Sequence, residues 1–128
     1  MIIKVKSPGR INLIGEHTDY NGGYVLPGTI NKAINFEIFK VKKVYCEVKS
    51  AKINKSLIFE INNIKKSKTH WHNYILGTID YFLSKKNKIT PFKCSIKSNL
   101  PIGSGISSSS ALISGFAKAI IELFELKY

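Results

Sequence analysis

The sequence predicts an α+β fold, in which short strands and two helices share one hydrophobic core. Several segments alternate between apolar and polar residues, and two others repeat apolar residues at helical spacing. The order along the chain is strands, helix, strand, loop, helix, which is typical of the α+β class. The 128 residues are 44% hydrophobic, which suits one domain or part of a larger one.

The first half of the chain contains most of the predicted strands. Pro8-Gly9 interrupts the first of them, and Asn21-Gly22-Gly23 predicts a turn. The alternation favours an antiparallel sheet with one face in water. The predicted strands cover residues 2–6, 11–15, 24–26, 33–40, 43–49 and 57–61.

The second half contains the predicted helices. Residues 65–68 predict a solvated loop, after which Thr69 is placed to cap a helix over 70–84 with Asp80 on its exposed side. The predicted buried stripe of this helix is Trp71, Tyr74, Ile75, Thr78 and Phe82. A strand over 93–98 and a Gly/Ser loop over 101–110 precede the second helix. Its apolar positions are Ala111, Leu112, Gly115, Phe116, Ala119, Ile120 and Leu123.

The chain carries a formal net charge of +12, which is compatible with anionic partners. Its cations are scattered lysines, whereas nucleic-acid-binding proteins concentrate arginine and interleave aromatic residues. We therefore expect neither nucleic acid nor a membrane as a partner, and no apolar run is long enough to cross a bilayer. Cys46 and Cys94 lie in strand-like patterns and predict buried free thiols, with a structural disulfide as the alternative. With no room for a signal peptide before residue 7, we expect a soluble cytoplasmic protein.

Residues 9–23 contain the densest group of ionisable side chains. Arg10 is the only arginine of the chain, and Glu16, His17 and Asp19 follow it within ten residues. A guanidinium offers planar, bidentate hydrogen bonding that lysine lacks. Carboxylate and imidazole groups bind vicinal sugar hydroxyls through directional hydrogen bonds. The segment therefore favours a site for a small polar ligand, and an exposed turn with an ion pair is the alternative.

The second informative segment is the glycine- and serine-rich stretch over 100–112. Gly103 and Gly105 allow the backbone to approach a ligand closely, and the serines lie where a helix begins. The amides at a helix N-terminus bind phosphate, and hydroxyls add further hydrogen bonds or a Mg²⁺ ligand. A flexible linker or an ordinary serine cap is the alternative. Together the two segments indicate phosphoryl transfer to a sugar.

Residues 8–23 closely resemble the galactokinase signature. Residues 100–111 resemble the second motif of the same superfamily, the kinases of galactose, homoserine, mevalonate and phosphomevalonate, and residues 71–77 resemble the galactokinase helix between the two motifs. The resemblance covers the whole chain. It implies a mixed sheet with helices packed on it, as in the N-terminal lobe of the galactokinase-like kinase fold, which is similar to ribosomal protein S5 domain 2.

The resemblance also implies roles for single residues. Arg10 corresponds to a catalytic arginine beside the reacting sugar hydroxyl. The residues that correspond to the sugar-binding segment are Glu16, His17, Thr18 and Asp19. The residues that correspond to the loop around the ATP phosphates are Gly103, Ser104, Gly105, Ile106, Ser107, Ser108 and Ser109. Ser109 corresponds to a Mg²⁺ ligand, and Trp71 and Tyr74 to residues near the adenine, for which core packing is an equally good account. Ser104 and Ser110 stand where the family has smaller residues.

The implied reaction uses ATP and Mg²⁺ to phosphorylate the anomeric hydroxyl of galactose. Family members are much longer, so we expect residues 1–128 to be a truncated N-terminal lobe that lacks the C-terminal lobe and the catalytic base and has little activity alone. A complementary C-terminal polypeptide would restore activity, and the alternatives are that the chain is a decayed gene product or a shortened piece of a longer protein. An N-acetylgalactosamine kinase or an arabinokinase would share most of these residues. A non-catalytic sugar or nucleotide sensor is the alternative outside the enzymes.

Overall fold

The computed structural model describes residues 1–14, 26–51, 56–99 and 108–127, with the backbone alone for 10–14, 26–31 and 108. Within these residues, five strands and two helices follow one another in the predicted order, but the strands predicted over 2–6 and 11–15 fall in one strand, as do those over 24–26 and 33–40. The strands are β1 (Ile3–Ile14), β2 (Leu26–Lys40), β3 (Cys46–Ser50), β4 (Leu57–Phe59) and β5 (Phe92–Ser98). The helices are α1 (His70–Ser84), between β4 and β5, and α2 (Ser108–Leu123), after β5.

The strands form one mixed sheet in the order β1-β2-β5-β3-β4. Three neighbouring pairs are antiparallel, but β3 and β5 are parallel. The mixed sheet implied by the family resemblance is confirmed, whereas the antiparallel sheet favoured by alternation alone is wrong for this pair. Alternation reports which face a side chain occupies and carries no information on strand direction. The chain returns from β3 to β5 through β4 and α1, the long crossover that parallel neighbours require.

Strand β1 continues through Pro8-Gly9, where the sequence predicts a break. The strand lies at the edge of the sheet, where proline is tolerated because its missing N–H leaves no central ladder bond unmade. Pro8 still pairs with Ala33, and the register then shifts before Arg10, which pairs with Thr29. The irregularity bends the strand locally instead of ending it.

The core lies on one face of the sheet, beneath both helices. Phe36 on β2 and Phe92 on β5 are fully buried, and both contact Phe116 of α2, with ring centroids 6.5 and 6.0 Å apart. The other face carries exposed charges such as Lys4 and Glu37, which form a surface ion pair. The predicted division into one buried and one wet face is confirmed.

Helix α1 spans the predicted range, but its buried face is broader than expected. Ile75, Thr78 and Phe82 are buried as predicted, and Asp80 is exposed. Trp71 and Tyr74 are only half-buried. Positions that the predicted stripe omits are also buried, because this helix packs against α2 and shares one core cluster with the sheet. These additional buried residues are His72, Leu76 and Ile79.

The start of α1 is stabilised by residues other than the predicted cap. Thr69 has the extended backbone of an N-cap residue, but its side chain makes no capping hydrogen bond. Instead, Ser67 Oγ accepts a hydrogen bond from the Thr69 amide at 3.1 Å. The side chain of Asn73 makes two hydrogen bonds with the Ser67 backbone. Its Oδ1 accepts from the amide at 2.8 Å, and its Nδ2 donates to the carbonyl at 2.9 Å.

The boundaries of the remaining elements shift by a few residues from the predicted ones. Residues 41–45 bend, so β3 begins at Cys46, and β4 ends at Phe59 where Glu60 forms an isolated bridge with Asn63. Helix α2 begins at Ser108, so the last three serines are helical and belong to no loop. Neither helix in the described ranges is long and apolar enough to cross a membrane.

Cys46 and Cys94 are buried free thiols, as the sequence predicts. Burial raises the pKa of Cys94 to about 12. It raises the pKa of Cys46 to about 11, against a smaller opposing effect of a hydrogen bond with the Phe92 backbone. Both thiols are therefore protonated and unreactive in the folded protein at neutral pH.

Candidate functional site

The second motif begins next to the strand pair that carries the first. Asn99, the residue after β5, binds Ala33 on β2 twice: its amide donates to the Ala33 carbonyl at 3.3 Å, and its Oδ1 accepts from the Ala33 amide at 2.8 Å. Ala33 in turn pairs with Pro8 on β1. Asn99, just before the second motif, therefore lies one strand away from Pro8. Pro8 is two residues before Arg10.

The chain leaves the second motif beside the same strand. The buried hydroxyl of Ser7 donates a hydrogen bond of 2.7 Å to the carbonyl of Ala111, in the first turn of α2. Ser7 lies three residues before Arg10, and Ala111 lies four residues after Ser107. Both ends of the second motif are therefore held by hydrogen bonds close to the start of the first motif.

Helix α2 runs antiparallel to β1. Its C-terminal end lies over the opposite end of the sheet, where the Phe124 ring is 6.3 Å from that of Phe92 and 5.2 Å from Lys40 Nζ. Its N-terminal end therefore points in the same direction as β1 runs after Ser7, toward Arg10. Unpaired amides and the positive end of the helix dipole lie at that end and favour an anion there.

The structure describes only some of the predicted site residues. Arg10 lies on β1 with a described backbone, and Ser108 is the first residue of α2. Ser109 follows in the first turn and is exposed. The other predicted positions lie outside the described residues, between β1 and β2 and between β5 and α2. These are Glu16, His17, Thr18, Asp19, Gly103, Ser104, Gly105, Ile106 and Ser107.

Trp71 lies on the first turn of α1, where its half-buried ring packs against the core. The ring is nearly perpendicular to that of His72, with centroids 4.2 Å apart. The indole Nε1 is shielded from solvent and has no hydrogen-bond partner among the described residues. His72 Nδ1 lies 3.1 Å from Ser67 Oγ, and which atom donates depends on the tautomer. These contacts give Trp71 a packing role.

The grooves on the described surface lie elsewhere. One runs between β4 and the start of α1 and includes Phe59 and His72 in its lining. Another, almost entirely apolar, lies between α1 and α2 and includes Tyr81 and Ile113. Ser109 lines neither of them. The candidate site is therefore defined by where the two motifs are anchored.

Two residues outside both motifs bring α2 close to the sheet. Ser7 occupies a buried position of β1, in alternation with Val5. Gly115 lies on α2 between the buried residues Ala111 and Ala119, at a spacing of four. A serine at an apolar position of a strand and a row of small residues along a helix are the signals that reveal them.

Comparison with known proteins finds a family match in each half of the chain. Residues 3–38 match the galactokinase galactose-binding signature, and residues 73–128 match the N-terminal domain of the GHMP kinases. The galactokinase of Thermotoga maritima is 44% identical over 122 residues, which are 95% of this chain and 33% of that protein. The chain thus spans about a third of the length of the curated relatives it matches.

Solved structures share the fold. The galactokinase of Lactococcus lactis, crystallised with galactose, superposes with a TM-score of 0.90 at 34% identity, over 99% of this chain and 34% of that one. The mevalonate kinase of Methanococcus jannaschii gives a TM-score of 0.80 at 28% identity, over 100% of this chain and 41% of that one. With both motifs starting at one end of the sheet, these matches show that the chain is similar to the N-terminal third of galactokinases and has the GHMP kinase fold.

Proposed function

We propose that this chain forms the sugar- and phosphate-binding part of a galactokinase. In the reaction, the anomeric oxygen of galactose forms a bond to the γ-phosphorus of ATP. The bond from that phosphorus to the oxygen bridging it to the β-phosphorus breaks. The hydroxyl proton passes to a base, and the products are galactose 1-phosphate and ADP. The curated relatives that match the chain are galactokinases, and the Lactococcus lactis galactokinase was crystallised with galactose.

One observation carries this proposal: the hydrogen bond from Ser7 to Ala111, together with the pairing of Asn99 with Ala33, starts both motifs at one end of the sheet. Phosphoryl transfer depends mainly on bringing the two substrates into line and stabilising charge. A sugar site and a phosphate site at opposite ends of the sheet would be incompatible with it. The anchors support a shared cleft.

The chain's own residues supply binding and charge stabilisation. Arg10 stabilises negative charge that develops on the transferred phosphoryl group, through a planar guanidinium with two parallel donors. The amides at the start of α2 bind the ATP phosphates together with the glycine- and serine-rich segment before it. The sugar hydroxyls are bound by the acidic segment between β1 and β2. These residues are Glu16, His17, Thr18 and Asp19.

The start of α2 fits a Mg²⁺ ion whose ligands come mainly from outside this chain. Ser109 offers one exposed hydroxyl in the first turn, which is one of the six oxygen ligands that Mg²⁺ requires. ATP phosphates and water would supply most of the remainder. When bound, the ion neutralises charge on the phosphates. Trp71 would lie near the adenine.

We propose that the base comes from a complementary polypeptide, equivalent to the part of the relatives beyond the third matched here. Of the two aspartates, Asp19 is assigned to the sugar, and Asp80 is exposed on α1, the helix that does not carry the second motif. The two buried free thiols suit a reducing compartment, so we propose the cytoplasm as the location.

The experiment is reconstitution. The chain is expressed with the part of the Thermotoga maritima galactokinase that lies beyond the match, and galactose 1-phosphate is followed by phosphorus NMR. We expect product from the pair and almost none from the chain alone. Arg10→Lys keeps the charge but removes the bidentate guanidinium, and should lower kcat about 100-fold. The matched control is Lys6→Arg, the reverse change at an exposed position of the same strand, with kcat expected within about twofold.

The outcomes separate the proposed function from its alternatives. Galactose binding by the pair, measured by calorimetry, without any turnover would overturn the kinase assignment in favour of a sensor. Faster turnover of N-acetylgalactosamine or arabinose than of galactose would keep the kinase and change its substrate. An equal loss of kcat in Arg10→Lys and Lys6→Arg would contradict the catalytic role of Arg10.

A further inference from the structure

One hydrogen bond joins the two motif-bearing elements directly. The Ser7 hydroxyl and the Ala111 carbonyl are 104 positions apart in sequence and 2.7 Å apart in space. The side chain of Ser7 lies in a layer that is otherwise apolar, with Val5 next to it on the same face. A hydroxyl buried there needs a partner, and the only one that the described structure gives it is on α2.

Gly115 makes this hydrogen bond possible. A Cβ atom added at Gly115 would lie 2.7 Å from Ser7 Cβ and would overlap the ring of Phe36. The backbone of the helix therefore lies directly against the side chains of Ser7 and Phe36 at this point. Ala111 and Ala119, one turn away on either side, are also small and buried, so close approach continues along the helix.

We propose that Ser7 is a positioning residue of the site, which fixes α2 along its axis relative to the strand of Arg10. This proposal rests on the proposed function. Apolar contacts have little directionality, so a smooth ridge of alanine and glycine leaves α2 able to slide. A slide of one residue moves the helix start by about 1.5 Å. Reacting atoms must approach to about 3–3.5 Å, so such a displacement would slow phosphoryl transfer.

The first test uses the chain by itself and needs no activity. Ser7→Ala keeps the Cβ atom and removes only the hydroxyl. Hydrogen exchange should accelerate about five- to tenfold in the first turns of α2 and in β1 near Ser7, because one hydrogen bond that joins them is lost. The amides of α1 should exchange at an unchanged rate.

A matched control separates this effect from the loss of any buried hydroxyl. Thr78 is as buried as Ser7, and its hydroxyl donates to the Tyr74 carbonyl at 2.8 Å, within α1. Thr78→Val should accelerate exchange in α1 alone. Unchanged exchange in Ser7→Ala, or acceleration spread evenly over all elements, would overturn the proposal.

The second test measures kinetics of the reconstituted pair. Ser7→Ala should lower kcat about tenfold and leave KM for galactose within about twofold, because the sugar side of the site stays intact. Thr78→Val should change neither. An unchanged kcat beside local acceleration of exchange would show a structural bond without a positioning role and overturn the proposal. An inactive wild-type pair would overturn the proposed function, whereas hydrogen exchange would still decide whether Ser7 holds α2 to β1.

Discussion

The two helices cover the same face of the sheet in different ways. They are nearly equal in length, with 15 residues in α1 and 16 in α2. Helix α2 lies close to β1 and β2, with Gly115 against Phe36 and a hydrogen bond from Ser7. Helix α1 comes closest to α2, and its buried Thr78 hydroxyl donates to Tyr74 within the same helix.

This difference indicates that α1 fills space over the core, whereas α2 is held at a fixed position. Large side chains such as Ile75, Ile79 and Phe82 fill the space beneath α1, and comparable volume at slightly different positions would satisfy the same requirement. Small residues and one directional bond hold α2, whose location must be reproducible to a fraction of an ångström if phosphate is to meet sugar. The helix that carries the second motif is the one with the tighter restraints.

The largest effect should come from removing one aromatic ring beneath each helix. Phe116→Ala and Phe82→Ala each empty a buried site, for which about 3–5 kcal/mol of stability is expected to be lost. The cost is larger where the surroundings cannot collapse. Because α2 is held by Ser7 and Gly115, we expect Phe116→Ala near the upper value and Phe82→Ala near the lower one. Urea unfolding measures both.

An equal or reversed order of these two losses would contradict the comparison of the helices. Leu123→Ala provides a control within α2, since Leu123 is buried and lies two turns beyond Gly115. Its loss should fall within the usual range of about 2–5 kcal/mol.

Replacing one glycine in each helix by alanine should change the stability by smaller amounts, with opposite signs in the two helices. Gly115→Ala introduces a Cβ that meets Ser7 and Phe36, so the variant should lose about 1–3 kcal/mol by overpacking. Gly77→Ala on α1 meets nothing within 4 Å and should gain about 0.5–1 kcal/mol from the better helix propensity of alanine. Thermal unfolding of both variants measures the difference. A stabilising Gly115→Ala would show that α2 is free to move away from the sheet.

A separate prediction concerns alkaline pH and the strands outside the pair that α2 contacts. Burial raises the pKa of Cys46 and Cys94 from 9.0 to about 11 and about 12. The folded state therefore holds these protons more tightly than the unfolded state. Their contribution is complete below about pH 9 and is lost as the pH rises toward the folded values, by about 1.4 kcal/mol per pH unit for each thiol.

Urea unfolding between pH 8 and 10.5 measures this slope. The double variant Cys46→Ala, Cys94→Ala should have a flatter profile than the natural sequence over that range. An identical slope in both proteins would mean that water reaches the thiols, and that the layer over β3 and β5 is looser than its burial indicates.

The elements that depend on local pattern could be predicted from the sequence. The helix over 70–84 follows from its spacing, and the strand over 93–98 differs from β5 by one residue, because both patterns are set by neighbours along the chain. Strand direction could not be predicted, because the parallel pairing of β3 with β5 depends on segments about 45 positions apart. The continuation of β1 through Pro8 depends on its place at the sheet edge, which becomes visible only in the assembled sheet.

The site shows the same division. The types and spacing of Arg10, Asp19 and the serines before Ala111 indicate a sugar and a phosphate without any structure. That Ser7 would bind Ala111 depends on the docking of α2, which no periodicity reports. The cap of α1 is a similar case, since Ser67 and Asn73 stabilise the helix start in place of Thr69.

The bond between Ser7 and Ala111 also has a consequence for synthesis of the protein. Ribosomes add about 5–20 residues per second, so the 104 positions between these residues correspond to about 5–20 s. During that interval β1 and β2 can pair, but the apolar side of this hairpin has no covering helix. Holding factors that bind exposed apolar strands during translation would therefore meet this chain at its first two strands, before α2 leaves the exit tunnel.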